Sequence, residues 1–117
     1  MFKQANVTLL VSDMKRSIAF YRDVLGFQVA GEYGGEFAEI DAPGVRIGLH
    51  PGGKAPLTPH ARHMSIGLQV GDLDAPSAEL EKRGLKLGDR VPDPGLAIRN
   101  FTDPDGHPFY LVEVKWG

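Results

Sequence analysis

The stretch VTLLVSDMKRSIAFYRDVLGF, from Val7 to Phe27, decides the fold because the chain repeats it about half a chain length later. The second copy is IGLQVGDLDAPSAELEKRG, from Ile66 to Gly84. The coinciding positions are apolar strand residues and the acidic residue after the strand: Leu9 with Leu68, Val11 with Val70, and Asp13 with Asp72. A repeat at this spacing predicts two copies of one supersecondary unit.

Each copy has the pattern of a strand, a helix and three further strands. In the first copy, apolar and polar residues alternate over 6–11, and an apolar stripe at helical spacing then ends at Gly26. Strands are predicted at 27–33, 37–41 and 45–50. In the second copy, strands are predicted at 63–70, 86–91, 96–102 and 109–114. Asp72 or Asp74 is expected to cap the helix.

The predicted fold class is therefore α+β, with two tandem βαβββ modules in a single domain. Module one covers about 1–50, a linker rich in proline and glycine covers 51–62, and module two covers 63–117. The sequence Asp103-Pro-Asp-Gly106 has the residues of a type I turn before the last strand. His107, next to this turn, is expected to be solvated.

Composition narrows the partners to small molecules and other proteins. With 13 basic and 15 acidic residues, the chain lacks the excess of positive charge that is typical of nucleic-acid-binding proteins. No apolar run reaches the length of a membrane span, and no leader opens the chain. The absence of cysteine removes thiolate metal sites and suits a cytoplasmic location.

Strand alternation divides the strand residues between two faces of each sheet. One face is apolar and is expected to lie under the helices: Val7, Leu9, Val11, Ile47, Leu49, Ile66, Leu68, Val70, Phe109 and Leu111. The opposite face is small, polar and without acidic residues. Its candidate ligand-binding residues are Asn6, Thr8, Arg46, His50, Ser65, Gln69 and Tyr110. Arg46 either binds an anionic group or extends to solvent.

Three motifs resemble one family. They are the segments 11–21 (VSDMKRSIAFY) and 24–27 (VLGF) and the turn 103–106 (DPDG). Together with the two modules, they resemble the vicinal oxygen chelate superfamily of glyoxalase I, extradiol dioxygenases and bleomycin resistance proteins. The resemblance covers essentially the whole chain. It implies curved mixed sheets that enclose a cleft, helices on the outer face, and a homodimer whose modules either pair within one copy or are swapped between copies.

The resemblance also implies where a divalent metal would be held. The family's four ligand positions correspond here to Asn6, Gly48, Ser65 and Tyr110. Catalytic metals prefer imidazole and carboxylate ligands, which these residues do not offer. No cofactor and no metal ligands are therefore expected. A displaced site using His50 and His63 is the alternative, although it supplies only two imidazoles where three protein ligands are usual.

Three functions stay open at this point. The first is a metal-independent protein, resembling the bleomycin resistance branch, that sequesters a neutral or mildly anionic ligand in a dimer cleft. The second is a glyoxalase- or dioxygenase-type metalloenzyme with displaced ligands, so enzymatic activity is left undecided. The third is a subunit whose oligomer contacts are its function.

Overall fold

The computed structural model describes residues 1–52, 64–93 and 95–114. The predicted linker and His63 therefore lie almost entirely outside the described residues. The elements of the first module are β1 (Asn6–Val11), α1 (Met14–Ala19), a π-helical segment (Phe20–Val24), β2 (Gln28–Tyr33), β3 (Phe37–Ala42) and β4 (Val45–Pro51). Those of the second are β5 (Ile66–Val70), α2 (Asp74–Lys82), β6 (Val91–Asp93), β7 (Leu96–Thr102) and β8 (Pro108–Val114).

The two modules build sheets of the same topology. The strand orders are β1-β4-β3-β2 and β5-β8-β7-β6. In each sheet the first strand pairs in parallel with the last, and the remaining pairs are antiparallel. The fold is thus α+β with two mixed four-stranded sheets, as the sequence predicted, and neither sheet closes on itself.

A single core joins the helix-packed faces of both sheets. Its buried members come from both modules and include Val11, Ile40, Leu49, Phe109 and Leu111. The rings of Tyr21 and Phe109, one from each module, lie with their centroids 5.9 Å apart. The opposite faces of the sheets are turned away from this core, and we call them the first and second open faces.

The first helix departs from the expected regular helix. It begins after Asp13, whose side chain accepts a hydrogen bond from the backbone N–H of Arg16 at 3.1 Å. After Ala19 it widens into the π-helical segment, in which the Leu25 N–H bonds to the Phe20 carbonyl. The chain then leaves the helix at Gly26, whose φ of 75° is in the region that glycine adopts readily.

The second helix carries Pro76 in its first turn, where proline is tolerated. Its cap is weaker than predicted, because the Asp72 carboxylate lies 3.5 Å from the Ala75 nitrogen and Leu73 is the capping residue. Within the described residues, no helix is long and apolar enough to cross a membrane.

The strand predicted at 86–91 is wrong. Residues 85–90 are irregular, and the strand occupies only Val91–Asp93. The Gly88 N–H bonds to the Asn100 carbonyl at 2.7 Å, and its own carbonyl accepts from the Arg99 side chain. The Arg99 side chain thus takes the place of a backbone N–H donor from a neighbouring strand. Pro92 is tolerated in β6 because this strand lies at the edge of its sheet.

Candidate functional site

The first open face holds four of the seven predicted ligand-binding residues. Strand register places Asn6 beside Arg46 and Leu10 beside His50, with Thr8 between them on β1. Asn6, Thr8 and His50 are exposed, and the Arg46 side chain is 29% exposed. These side chains share one face because residues at every second position of a strand point the same way.

The second open face holds Gln69 and Tyr110, and Ser65 immediately precedes its first strand. Register places Gly67 beside Tyr110 and Gln69 beside Val112. Ser65 and Gln69 are exposed, and Tyr110 is half-buried. The structure therefore groups the predicted residues into two sets on two sheets, and the described contacts do not bring the two sets together.

Two carboxylates that the sequence reading overlooked lie on the first open face. The strand β3 places Asp41 beside Arg46 and Glu39 beside Gly48. Arg46 Nη1 donates to Glu39 Oε2 at 2.7 Å, and its Nε lies 3.7 Å from Asp41 Oδ1. The expectation of a face without acidic residues is therefore wrong, and Arg46 is already paired. The sequence could have revealed them, since Glu39 and Asp41 occupy alternate positions of β3 and therefore point to the open face.

His50 bonds to a backbone carbonyl. Its Nδ1 lies 2.7 Å from the Pro51 carbonyl oxygen. Because a carbonyl oxygen can only accept, Nδ1 carries the proton and Nε2 is the basic nitrogen of the neutral ring. The ring is oriented, but no carboxylate contact accompanies it in the described part of the chain.

The four positions at which the family would hold a metal do not fit one. Asn6 offers an amide, Ser65 a hydroxyl and Tyr110 a phenol, whereas Gly48 has no side chain. A Cβ atom at Gly48 would lie 3.0 Å from the ring of Phe37, so a longer side chain has no room there without movement. Among the described residues, no group of three or more His, Cys, Asp or Glu could hold a metal ion. The alternative site that uses His63 lies outside them.

Tyr110 occupies the space above a glycine on the second open face. A Cβ atom at Gly67 would collide with the phenol ring, so the ring lies against the backbone of β5. Beside it is a pocket of about 270 Å³ with four aliphatic residues and two hydrogen-bonding side chains: Val91, Leu96, Ile98, Val112, Asn100 and Tyr110. The aromatic ring and the aliphatic wall make this face suitable for the apolar part of a ligand.

A buried polar cluster joins the modules, and the sequence reading missed it. Asp105 Oδ1 accepts from the Ser12 N–H at 3.0 Å, and its Oδ2 lies 3.4 Å from Ser17 Oγ. Tyr21 donates its hydroxyl proton to Asp103 Oδ2 at 2.6 Å. We call this cluster of Ser12, Ser17, Tyr21, Asp103 and Asp105 the closed junction. All but Ser12 are buried.

His107 belongs to the closed junction and is not solvated. Its Nδ1 donates to Asp103 Oδ2 at 2.8 Å, and its side chain is 13% exposed. Burial alone would raise the pKa of Asp103, but hydrogen bonds from His107 and Tyr21 outweigh it and hold that pKa below its usual value. The hydrogen bond to Asp103 raises the pKa of His107 against the opposing effect of burial. Burial, reinforced by the Asp103 charge, raises the pKa of Tyr21.

Solved structures share this architecture, and a curated protein is similar to this chain in sequence. An uncharacterized protein of Escherichia coli strain K12, YaeR, is 30% identical over 122 residues, which cover 92% of this chain and 93% of that protein. The antibiotic-binding protein TnmS3 from Streptomyces sp. CB03234 superposes with a TM-score of 0.74 at 22% identity, over 97% of each chain. The fosfomycin resistance protein FosX from Listeria monocytogenes gives a TM-score of 0.77 at 18% identity, over 97% of this chain and 93% of its own.

These two structural likenesses are below 25% identity and show a shared fold. The family assignment comes from the match of residues 3–111 to the model of one family. The repeated module, the sheet topology and this match agree: the chain belongs to the glyoxalase/bleomycin resistance protein/dioxygenase superfamily.

Proposed function

We propose that this protein binds a small molecule on its open faces without using a metal ion, and that it acts by sequestering that molecule. The observation that carries the proposal is the donor set at the four metal positions, Asn6, Gly48, Ser65 and Tyr110. An amide, a hydroxyl, a phenol and a glycine are not the imidazole and carboxylate ligands that a catalytic metal usually takes. The rings of Phe37 and Tyr110 lie over glycines and supply apolar surface instead.

The charges of the open faces favour a neutral ligand with an apolar body. On the first open face, the carboxylates of Glu39 and Asp41 outnumber the guanidinium of Arg46, which opposes an anionic ligand. The pocket on the second open face is lined by aliphatic residues with the side chains of Asn100 and Tyr110 as its polar groups. A neutral molecule would place its apolar part there without desolvating a charge.

We further propose that two copies pair to cover these faces. Large apolar side chains are exposed on both: Leu10 and Tyr33 on the first and Val91 on the second, each about half exposed. Since the helix-packed faces already share one core within the chain, the open faces need another partner to exclude water. A homodimer that opposes the first face of one copy to the second face of the other would form the cleft.

The test is native mass spectrometry and metal analysis of protein purified without chelator. The expected result is a dimer that carries a small organic molecule and no stoichiometric transition metal. Tyr110→Ala and Arg46→Ala should each reduce the retained molecule while leaving the unfolding midpoint nearly unchanged. Lys82→Ala, on the exposed side of α2, is the matched control. Near-stoichiometric nickel, zinc, manganese or iron would overturn the metal-independent proposal and favour the metalloenzyme alternative.

A further inference from the structure

A second cavity, of about 500 Å³, lies between the two modules and borders the second open face at Gly67 and Gln69. It is larger than the pocket beside Tyr110. Module one contributes Leu25, Phe27 and Pro43 to its walls. Module two contributes the strand segment 67–70, Leu111 from β8, and Pro76, Glu79, Leu80 and Arg83 from the region of α2.

The cavity lies along an unpaired strand edge. The strand β5 is the first in the order β5-β8-β7-β6, so within the described ranges one side of its backbone has no strand neighbour. Four consecutive residues of this strand, Gly67 to Val70, line the cavity. An edge strand offers backbone N–H and C=O groups to whatever lies beside it. The facing side of α2 presents residues separated by three or four positions, which share one helix face.

The chemistry of the walls is apolar with a balanced charge at the rim. Arg83 Nε lies 3.2 Å from Glu79 Oε1, and Arg83 Nη1 donates to the Val24 carbonyl at 2.9 Å. One cation and one anion at the rim leave no net charge to select a charged ligand. Pockets of 300–1,000 Å³ with apolar walls and a few hydrogen-bonding groups are typical of small-molecule sites.

We propose that this inter-module cavity is a binding site for a neutral, mainly apolar small molecule that carries a hydrogen-bond donor or an amide-like group. The apolar part lies against Phe27, Leu68 and Leu80, and the polar group meets the free backbone edge of β5. Since the walls come from both modules, the bound molecule fixes one module against the other. This cavity shares no lining residue with the pocket beside Tyr110, although Gln69 of the second open face borders it, and the proposal does not depend on the proposed function.

The probe for the test is N-phenyl-1-naphthylamine, a neutral aromatic amine with one N–H whose fluorescence rises in apolar surroundings. Two variants fill the cavity from opposite walls: Glu79→Trp from module two and Pro43→Trp from module one. Both positions are exposed, so neither change places an indole in the core. Val112→Trp, which fills the pocket on the second open face, is the matched control.

Saturable binding to the unaltered protein is expected, with at least a tenfold increase in Kd in both Glu79→Trp and Pro43→Trp and an unchanged Kd in Val112→Trp. Amide chemical shifts should move at Leu68, Val70 and Leu80, and not at Ile98. An unchanged unfolding midpoint shows that the variants are folded. The proposal is overturned by three results: no binding, binding lost only in Val112→Trp, or shifts confined to the open face. The proposed function is tested separately, by whether Tyr110→Ala retains less of the co-purified small molecule in native mass spectrometry.

Discussion

The two modules meet at two equivalent places, and the chemistry of the two contacts is opposite. At the closed junction, the turn 103–106 of module two packs against α1 through buried carboxylates, hydroxyls and the ring of Tyr21. At the second contact, which we call the open junction, Pro43 of module one and Pro76 and Leu80 of α2 border the inter-module cavity. Pro43 belongs to the turn 41–44 of module one. This turn and the turn 103–106 each join the last two strands of their module, and both end in glycine.

The difference comes from a few side chains at matching positions. The closed junction has Asp105 in its turn, where the open junction has Pro43. Ser17 and Ser77 are each the fourth residue of a helix and are both buried. Ser17 faces Asp105, whereas Ser77 Oγ has no hydrogen-bond partner among the described residues. A repeated module can therefore keep its topology while one contact becomes a fixed polar joint and the other leaves a space.

The segments that lead into the two helices also bond to different partners. The Ser12 N–H at the start of α1 bonds to Asp105, from the other module. The Leu73 N–H at the start of α2 bonds to Glu113 Oε1 at 2.9 Å, from its own sheet. Module one thus depends on module two for the Ser12 bond, whereas the Leu73 bond lies entirely within module two. The comparison predicts unequal responses to mutation at matching positions.

The largest expected effect is at Asp103. Its carboxylate accepts hydrogen bonds from the backbone N–H groups of Asp105 and His107, from the Tyr21 hydroxyl and from the His107 ring. Asp103→Ala leaves these donors buried without an acceptor and should cost about 3–5 kcal/mol of unfolding free energy, measured by urea denaturation. Asp41→Ala removes the matching residue of the other turn, whose side chain is 58% exposed. It should change stability by about 0.5 kcal/mol or less. Equal costs would show that the two junctions do not differ as described.

A smaller effect, of opposite sign at the two junctions, is expected at the paired serines. Ser17→Ala removes the donor to Asp105 and should destabilise the protein by about 1 kcal/mol. Ser77→Ala removes a buried hydroxyl that has no partner in the described structure, and should be neutral or stabilise by about 1 kcal/mol. Both changes give the same residue at the same helix position, so helix propensity cancels in the comparison. Two destabilising results would mean that Ser77 has a partner.

The smallest effect is a pH dependence confined to the closed junction. The pKa of His107 is raised in the folded protein by its bond to Asp103. Its contribution to stability is therefore complete below the unfolded value of about 6.5 and is lost as the pH rises through the higher folded pKa. His107→Gln, which keeps an amide donor, should abolish this part of the slope of unfolding free energy against pH. His50→Gln, at an exposed histidine, should keep it.

At acidic pH, the contribution of Asp103 to the free energy of unfolding changes with pH in the opposite direction. The pKa of Asp103 is lowered on folding, so its contribution is present above the ordinary value of 3.8 and is lost as the pH falls through the folded pKa. The open junction has Val45, whose side chain does not ionise, where the closed one has His107. A slope above pH 6.5 that survives in His107→Gln would contradict the assignment to this junction.

Strand positions were predicted well where alternation was strong. The predicted bounds of β1 (6–11) and β7 (96–102) match the structure. The apolar strand residues that were expected under the helices lie on the helix-packed faces. The failure at 86–91 has a local reason, because Gly88 and Asp89 weaken a strand and its backbone bonds are met by β7 and a side chain. Glu39 and Asp41 were missed because the alternation of β3 was not used to assign its residues to the two faces, although the sequence shows it.

The amino-acid sequence by itself determined the repeated module, the two faces of each sheet and the residues at the four metal positions. These are local properties, since periodicity fixes which side a residue points to and residue type fixes which ligands it can offer. Only the tertiary structure decided that Tyr21 reaches Asp103 across 82 positions, that Arg46 is paired with Glu39, and that a cavity opens beside Pro43. Such contacts depend on how packed elements meet, and no periodicity along the chain records that.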